Sequence, residues 1–232
     1  MRNFLFSGVL LGMGVLGAVA FVTYEPPKNP DPNHTHADFA VWMDGKQLDF
    51  SGGEFMSSPP AEVAGVPFLD VASAHGDEED GHTVPGREYL HLHEGNGHVI
   101  HKHKPGLTIG DFFISIGAKM IKGPIVERGE TLDTDCFEWT MASEMNTRCS
   151  GELGRTLRMF VNNQEVDFDP DYAFQDLDQI LIIHALNDEE VQVALRQLTN
   201  DACLYSKTCP WRGEAPAESC LADPAVPCVI PE

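Results

Sequence analysis

Residues 36–51 read HADFAVWMDGKQLDFS. Phe39, Val41 and Met43 fall on alternate positions, and the run then reaches Asp44-Gly45. Alternation with a period of two lays these side chains on one face of a strand, and a two-residue Asp-Gly loop supplies the positive φ values that a tight hairpin turn needs. Residues 156–169, TLRMFVNNQEVDFD, repeat the shape with Asn162-Asn163 at the turn. Aligned on their turns, VWMDGKQLDF and MFVNNQEVDF look like two copies of one unit; duplication would produce that likeness, and so would a shared period and turn alone.

Between the two hairpins, REYLHLHEG (87–95) and GHVIHKHK (97–104) read as a pair of strands around Gly95-Asn96-Gly97. Thr108 then caps a short helix whose apolar face is Ile109, Phe112, Phe113 and Ile116, at spacings of three and four, with Gly117 at or near its end. QILIIHAL (179–186) is a continuous apolar strand suited to a sheet interior. NDEEVQVALRQLTNDACLYS (187–206) opens with an Asn/Asp cap and acids at the positive end of the dipole, so it reads as one helix. Hairpins, one or two packed helices and a closing strand make an α+β domain with a mostly antiparallel sheet, similar to a β-grasp. Residues 57–87 are an insertion in that plan, centred on the loop HGDEEDGH.

The chain has 232 residues, 42% of them hydrophobic, and a net charge of -21. Such an acidic surface repels phosphates, which excludes nucleic acid and anionic lipid headgroups as natural partners and favours cations or a basic protein. Arg2 precedes FLFSGVLLGMGVLGAVAFV, nineteen residues without a charge. That is about the ~20 residues a helix needs to cross a bilayer. Residues 1–23 are read as a transmembrane anchor or a signal peptide, for which Ala18 to Ala20 would be the cleavage motif. Gly8 and Gly12 give that span a GxxxG spacing that can admit a second helix. Either reading exports the remainder, leaving a single-pass protein of the cytoplasmic (inner) membrane with its C-terminal domain on the periplasmic or extracellular side. Residues 24–33 form a Pro-rich linker, 34–200 the extracytoplasmic domain, and 201–232 a tail rich in Cys and Pro. Six cysteines downstream of an export signal imply disulfides, and nearest-neighbour pairing gives Cys136–Cys149, Cys203–Cys209 and Cys220–Cys228.

Six of the ten histidines come as HxH pairs: His34/His36, His91/His93 and His101/His103. In a strand, residues i and i+2 share a face, and two such pairs on neighbouring strands bring four imidazoles to one patch. Zinc (Zn2+) and copper (Cu2+) suit an imidazole-only donor set. His98 is either a seventh ligand or a turn residue, and Asp38 and Glu94 would complete the shell or orient a ligand. The competing reading is a metal-free, pH-responsive or structural cluster, which would have to crowd several cations together below pH ~6.5. His75 and His82 flank the acidic loop and are read as solvent-exposed, while His184 is read as a core histidine with one hydrogen-bonded partner. Met141 and Met145, spaced like one turn of a helix, are read as packing.

The run from HTHADFAVWMDGKQLDFS through HLHEGNGHVIHKHKPGLTIGDFF resembles a group of functionally uncharacterised, His-rich, secreted or membrane-anchored proteins of bacteria and archaea. In that group an HxH precedes a short DG or NG hairpin, followed by an HLH…VIHxH region, a GDFF helix, a VNG hairpin and a closing strand. The resemblance covers residues 34–186 and implies a domain boundary rather than an activity; the insertion and the Cys-rich tail depart from it. The expected function is non-catalytic binding of a divalent transition metal. The alternatives are an accessory subunit of a larger membrane complex, whose metal is purely structural, and a zinc-dependent hydratase or hydrolase. The sequence carries no Ser nucleophile elbow, phosphate loop or evident general base for that last class.

Overall fold

A computed structural model describes residues 27–30, 34–56, 87, 89–93, 95–127 and 130–214. The N-terminal span, most of the 57–87 insertion with His75 and His82, Glu94, and the Cys220–Cys228 pair lie outside the described residues. Among the described residues, no helix is long and apolar enough to cross a membrane.

Both hairpins form where the turn dipeptides place them. Strand β1 (Thr35–Met43) turns at Asp44-Gly45, with φ of 54° and 79°, into the short β2 (Lys46–Gln47). Strands β3 (Leu90–His91) and β4 (Val99–Lys102) pair antiparallel around the Gly95–Gly97 turn. Thr108 caps helix α1 (Ile109–Ser115) with a capping box, its hydroxyl accepting from the Asp111 N–H while the Asp111 carboxylate accepts from the Thr108 N–H. The chain continues through β5 (Ala118–Ile121), β6 (Ile125–Glu127), β7 (Glu130–Leu132), β8 (Cys136–Met141) and β9 (Glu144–Cys149). The second predicted hairpin follows as β10 (Thr156–Val161) and β11 (Gln164–Val166), with Asn162 and Asn163 at φ of 52° and 64°. Strand β12 (Gln179–Ala185) is the expected buried strand.

The molecule is α+β, with mostly antiparallel sheets and few helices. The main sheet runs β11-β10-β12-β1-β4-β3, with β2 also on β1. Its one parallel pair, β1 with β12, lies at the centre, in register from Asp38↔Gln179 to Met43↔His184. One face, bearing Ala37, Phe39, Val41, Ile100, Met159 and Ile182, packs against Phe112 and Phe113 of α1 and Phe137 of β8 to form the main core. The opposite face carries Ala40, Trp42, Phe160, Leu181 and Ile183 under helix α2 (Asp188–Leu195), through Val191 and Ala194. Beyond that cluster, Val99 on this face packs against Ala202 and Tyr205 of α3 (Ala202–Tyr205).

Two local expectations are corrected. The predicted single helix over 187–206 is two: α2 ends at Leu195 and α3 begins at Ala202. The interruption is held by Asp38 of β1, whose buried carboxylate accepts from Thr199 Oγ1 (2.5 Å), Asp201 N (2.8 Å) and Ala202 N (3.0 Å), satisfying the opening amides of α3 from across the sheet. Met141 and Met145 are not one helical turn apart. They flank the Ala142-Ser143 turn of the β8–β9 hairpin, Met141 opposite Glu144 and Met145 opposite Thr140; Met141 packs against the main core as expected, and Met145 is exposed. Within that hairpin Cys136 lies opposite Cys149, and the two form a disulfide; Cys203–Cys209 is the second, as nearest-neighbour pairing predicts.

Candidate metal centre

The histidines meet because two strand registers coincide. His36 of β1 lies opposite His101 of β4, and His101 lies opposite His91 of β3. The period of two then fixes the face: Ala37, Ile100, Leu90 and Leu92 point into the main core, so their neighbours His36, His101, His91 and His93 point to the other side. Continuing the pattern sets His34 beside His103, with ring centroids 4.1 Å apart. All six HxH imidazoles form one pile on the sheet face opposite α1, with His93 and His101 4.4 Å apart and His91 and His103 4.7 Å apart. His36, His91, His93, His101 and His103 are at most 4% exposed.

The pile divides into two sets of three, His34/His36/His101 and His91/His93/His103, each with its candidate donor nitrogens within 4.8 Å of one another. In the second set, His91 Nε2 lies 3.0 Å from His93 Nε2 and 3.0 Å from His103 Nε2. On its other side, His91 Nδ1 lies 2.5 Å from the Arg87 carbonyl oxygen, which can only accept, so the ring proton sits on Nδ1 and the Nε2 lone pair faces the other two rings. One in-plane lone pair cannot accept well-directed hydrogen bonds from two rings at once. The two 3.0 Å separations from His91 do come close to the edge of a zinc tetrahedron, about 3.3 Å for a metal–nitrogen distance of ~2.0 Å, and the whole set closes within 4.8 Å.

Electrostatics favour the ligating form. Burial, with the neighbouring imidazoles adding to it, pushes the pKa of His91 down to about 3 and that of His103 to about 2, and holds His101 well below the usual histidine range. These rings are neutral at physiological pH, the form in which imidazole ligates a metal.

Partners outside the pile fix its geometry. Arg87 is buried and spans the end of the insertion, donating to Ser115 O (2.6 Å) and Met56 O (2.6 Å) while its own carbonyl orients His91. Desolvation lowers its pKa to about 10, which leaves it a cation at neutral pH. His36 Nδ1 lies 2.8 Å from Ser206 Oγ, and Ser206 donates its one hydroxyl proton to Asp176 Oδ1 at 2.6 Å. His36 must therefore donate from Nδ1, which turns its Nε2 toward the cluster. Tyr205 covers the pile edge-on, 4.7 Å from His101, and its hydroxyl accepts from Asn96 Nδ2 (2.9 Å). The Cys203–Cys209 disulfide closes the turn that carries this cover.

The structure thus gathers His34, His36, His91, His93, His101 and His103, and separates the other candidates from them. His98 belongs to neither set; its Nε2 lies 3.0 Å from Asp201 Oδ2, an interaction that holds the start of α3 rather than a ligand position. Asp38, expected from sequence to complete the shell or orient a ligand, supports α3 instead, and burial raises its pKa. His184 is the expected core residue, with Nδ1 3.0 Å from Asp44 Oδ1. No motif or spacing marks Arg87, Asp176, Tyr205 or Ser206: they reach the site from 4 to 170 residues away along the chain. Comparison with known proteins yields no match, whether to a family model, to a curated protein or to a solved structure.

Proposed function

We propose that this is an exported, membrane-anchored protein whose histidine cluster binds a divalent transition metal, zinc or copper, without catalysing a reaction. The observation that carries this reading is the placement of His91, His93 and His103, whose Nε2 atoms converge while the Arg87 carbonyl fixes the tautomer of the central ring. Neutral, desolvated imidazoles supply the donor type and protonation state these ions require. The near-complete burial of the ligands beneath Tyr205 suits a metal that is held rather than one that turns over a substrate. The strand order, with a central parallel pair flanked by antiparallel hairpins and α1 across one face, supports a β-grasp-like classification. The N-terminal apolar run supports a single-pass anchor in the cytoplasmic membrane, with the acidic domain on the periplasmic or extracellular side.

A second reading, an accessory subunit of a membrane complex with a structural metal, is favoured by the site's position where β1, β3, β4 and α3 meet: a metal there would stiffen the domain around it. Elemental analysis of the full chain, purified from its own membrane without an affinity tag, tests the metal. Tightly held zinc or copper is expected, with the ion on His91, His93 and His103 lost in His91→Ala, and protein free of both metals would overturn the reading. Stoichiometric co-purifying subunits would favour the accessory role.

A further inference from the structure

We propose that the chain holds two transition-metal ions side by side, the second on His34, His36 and His101. This rests on the reading that the cluster binds metal at all, and adds a site to it. The two donor sets share no residue, and each closes on itself within 4.8 Å. They abut along a shared boundary, where His34 faces His103 at 4.1 Å and His93 faces His101 at 4.4 Å between ring centroids. Two ions so placed would lie in adjoining pockets of one imidazole pile.

The second set has its own support. Asp176 accepts from Ser206, Ser206 accepts from His36 Nδ1, and the His36 backbone N–H also donates to Asp176 Oδ1 at 3.0 Å. A carboxylate acting through a hydroxyl on the far nitrogen of an imidazole fixes the ring and raises the basicity of the nitrogen facing the metal. In the first set the corresponding partner of His91 is a neutral carbonyl. The asymmetry matters because two dications among neutral ligands need nearby negative charge. Asp176 supplies it behind His36, and Asp38 follows two positions along the same strand face. Asp176 and Ser206 are positioning residues: neither belongs to a donor set, and both set the aim of one donor.

The test loads the full-length, metal-free protein with Cu2+ alone, counting bound ions by elemental analysis and recording electron paramagnetic resonance spectra at one and two equivalents. Two ions per chain are expected, with the second equivalent broadening or quenching the signal of the first. The double variants His34→Ala/His36→Ala and His91→Ala/His93→Ala should each keep one ion with an isolated signal. Asp176→Asn should weaken one ion by about 10–100-fold and leave the other unchanged. One ion that survives His34→Ala/His36→Ala but not His91→Ala/His93→Ala would overturn the second site and leave the first. One ion abolished by either double variant would mean a single centre shared by all six rings, and also overturns the proposal. No bound copper at all would overturn the metal reading itself. Should the double variants fail to fold, the native chain decides: an isolated, uncoupled signal at saturation overturns the pair.

Discussion

The period of two makes the histidines legible as single residues. In HLH and HKH the intervening Leu92 and Lys102 belong to the opposite face, so the pattern alone announces two imidazoles on one side of a strand. Arg87 carries no such mark, because its side-chain partners are the carbonyls of Met56 and Ser115, 31 and 28 residues away. Replacing Arg87 by Met would leave both buried carbonyls without their charged donor and loosen the backbone that holds His91. The expected result is a loss of about 1–3 kcal/mol in denaturant unfolding and about 10–100-fold weaker metal binding by competition with a chelator. A purely electrostatic role would predict the reverse for metal, since removing a cation should strengthen binding. A second residue-scale prediction concerns pH. Arg155 grips Glu190 with two hydrogen bonds, of 2.7 and 3.1 Å, and these hold the Glu190 carboxyl below the usual carboxylate range. The unfolded chain therefore takes up this proton first as pH falls, and the pair's contribution, complete at neutral pH, is lost as pH drops through the carboxylate range. Glu190→Gln should cost about 0.5–1 kcal/mol at pH 7, and its unfolding curve should converge on that of the native chain as pH falls through the carboxylate range.

Elements marked by local chemistry are predictable from sequence, and those shaped by distant contacts are not. Asp-Gly and Asn-Asn specify two hairpins, and Thr108 with Asp111 specifies the start of α1. The β8–β9 hairpin is hidden because its turn is Ala142-Ser143: neither residue advertises a positive φ, and both adopt one. The break between α2 and α3 is hidden because its cause, Asp38, lies more than 160 residues earlier in the chain. The segment whose composition reads as the start of a tail is instead the cover of the histidine pile, with Tyr205 and Ser206 against His101 and His36 and a disulfide behind them. This division of labour between the two disulfides is testable. Cys203→Ser/Cys209→Ser should speed extraction of bound zinc by a chelator about tenfold, the equivalent of ~1.4 kcal/mol of lost cover. Cys136→Ser/Cys149→Ser, which frees a hairpin on the opposite side of the sheet, should leave the extraction rate unchanged. Equal effects from the two variants would mean that Tyr205 and its turn do not gate the site.

At the scale of the whole molecule, the central fact is that the first and last strands of the main sheet lie side by side. β1 and β12 run parallel, with Asp38 in register with Gln179, and no local pattern in either strand encodes that pairing: an apolar run says that a strand is buried but not beside which neighbour. The histidine pile rests on this closure. His36 comes from the start of the first strand and His34 from the residue just before it, His91 to His103 from the middle of the chain, and the groups that orient or cover them are Asp176, Tyr205 and Ser206. An unfolded chain holds these groups far apart, so a metal that binds the pile binds the folded state and stabilises it by mass action, by ~2.7 kcal/mol when free metal is a hundredfold above its dissociation constant. Urea unfolding of the full chain should therefore shift to higher midpoint with added zinc, with an unchanged denaturant slope, because the same surface is exposed in both cases. His36→Ala/His91→Ala, which breaks both donor sets, should unfold at a midpoint insensitive to zinc, which separates binding at the pile from loose association with the 36 acidic residues of the chain. A zinc-dependent midpoint that persists in that double variant would place the metal on the acidic surface, and leave the six imidazoles as a packed, metal-free core of unusual polarity.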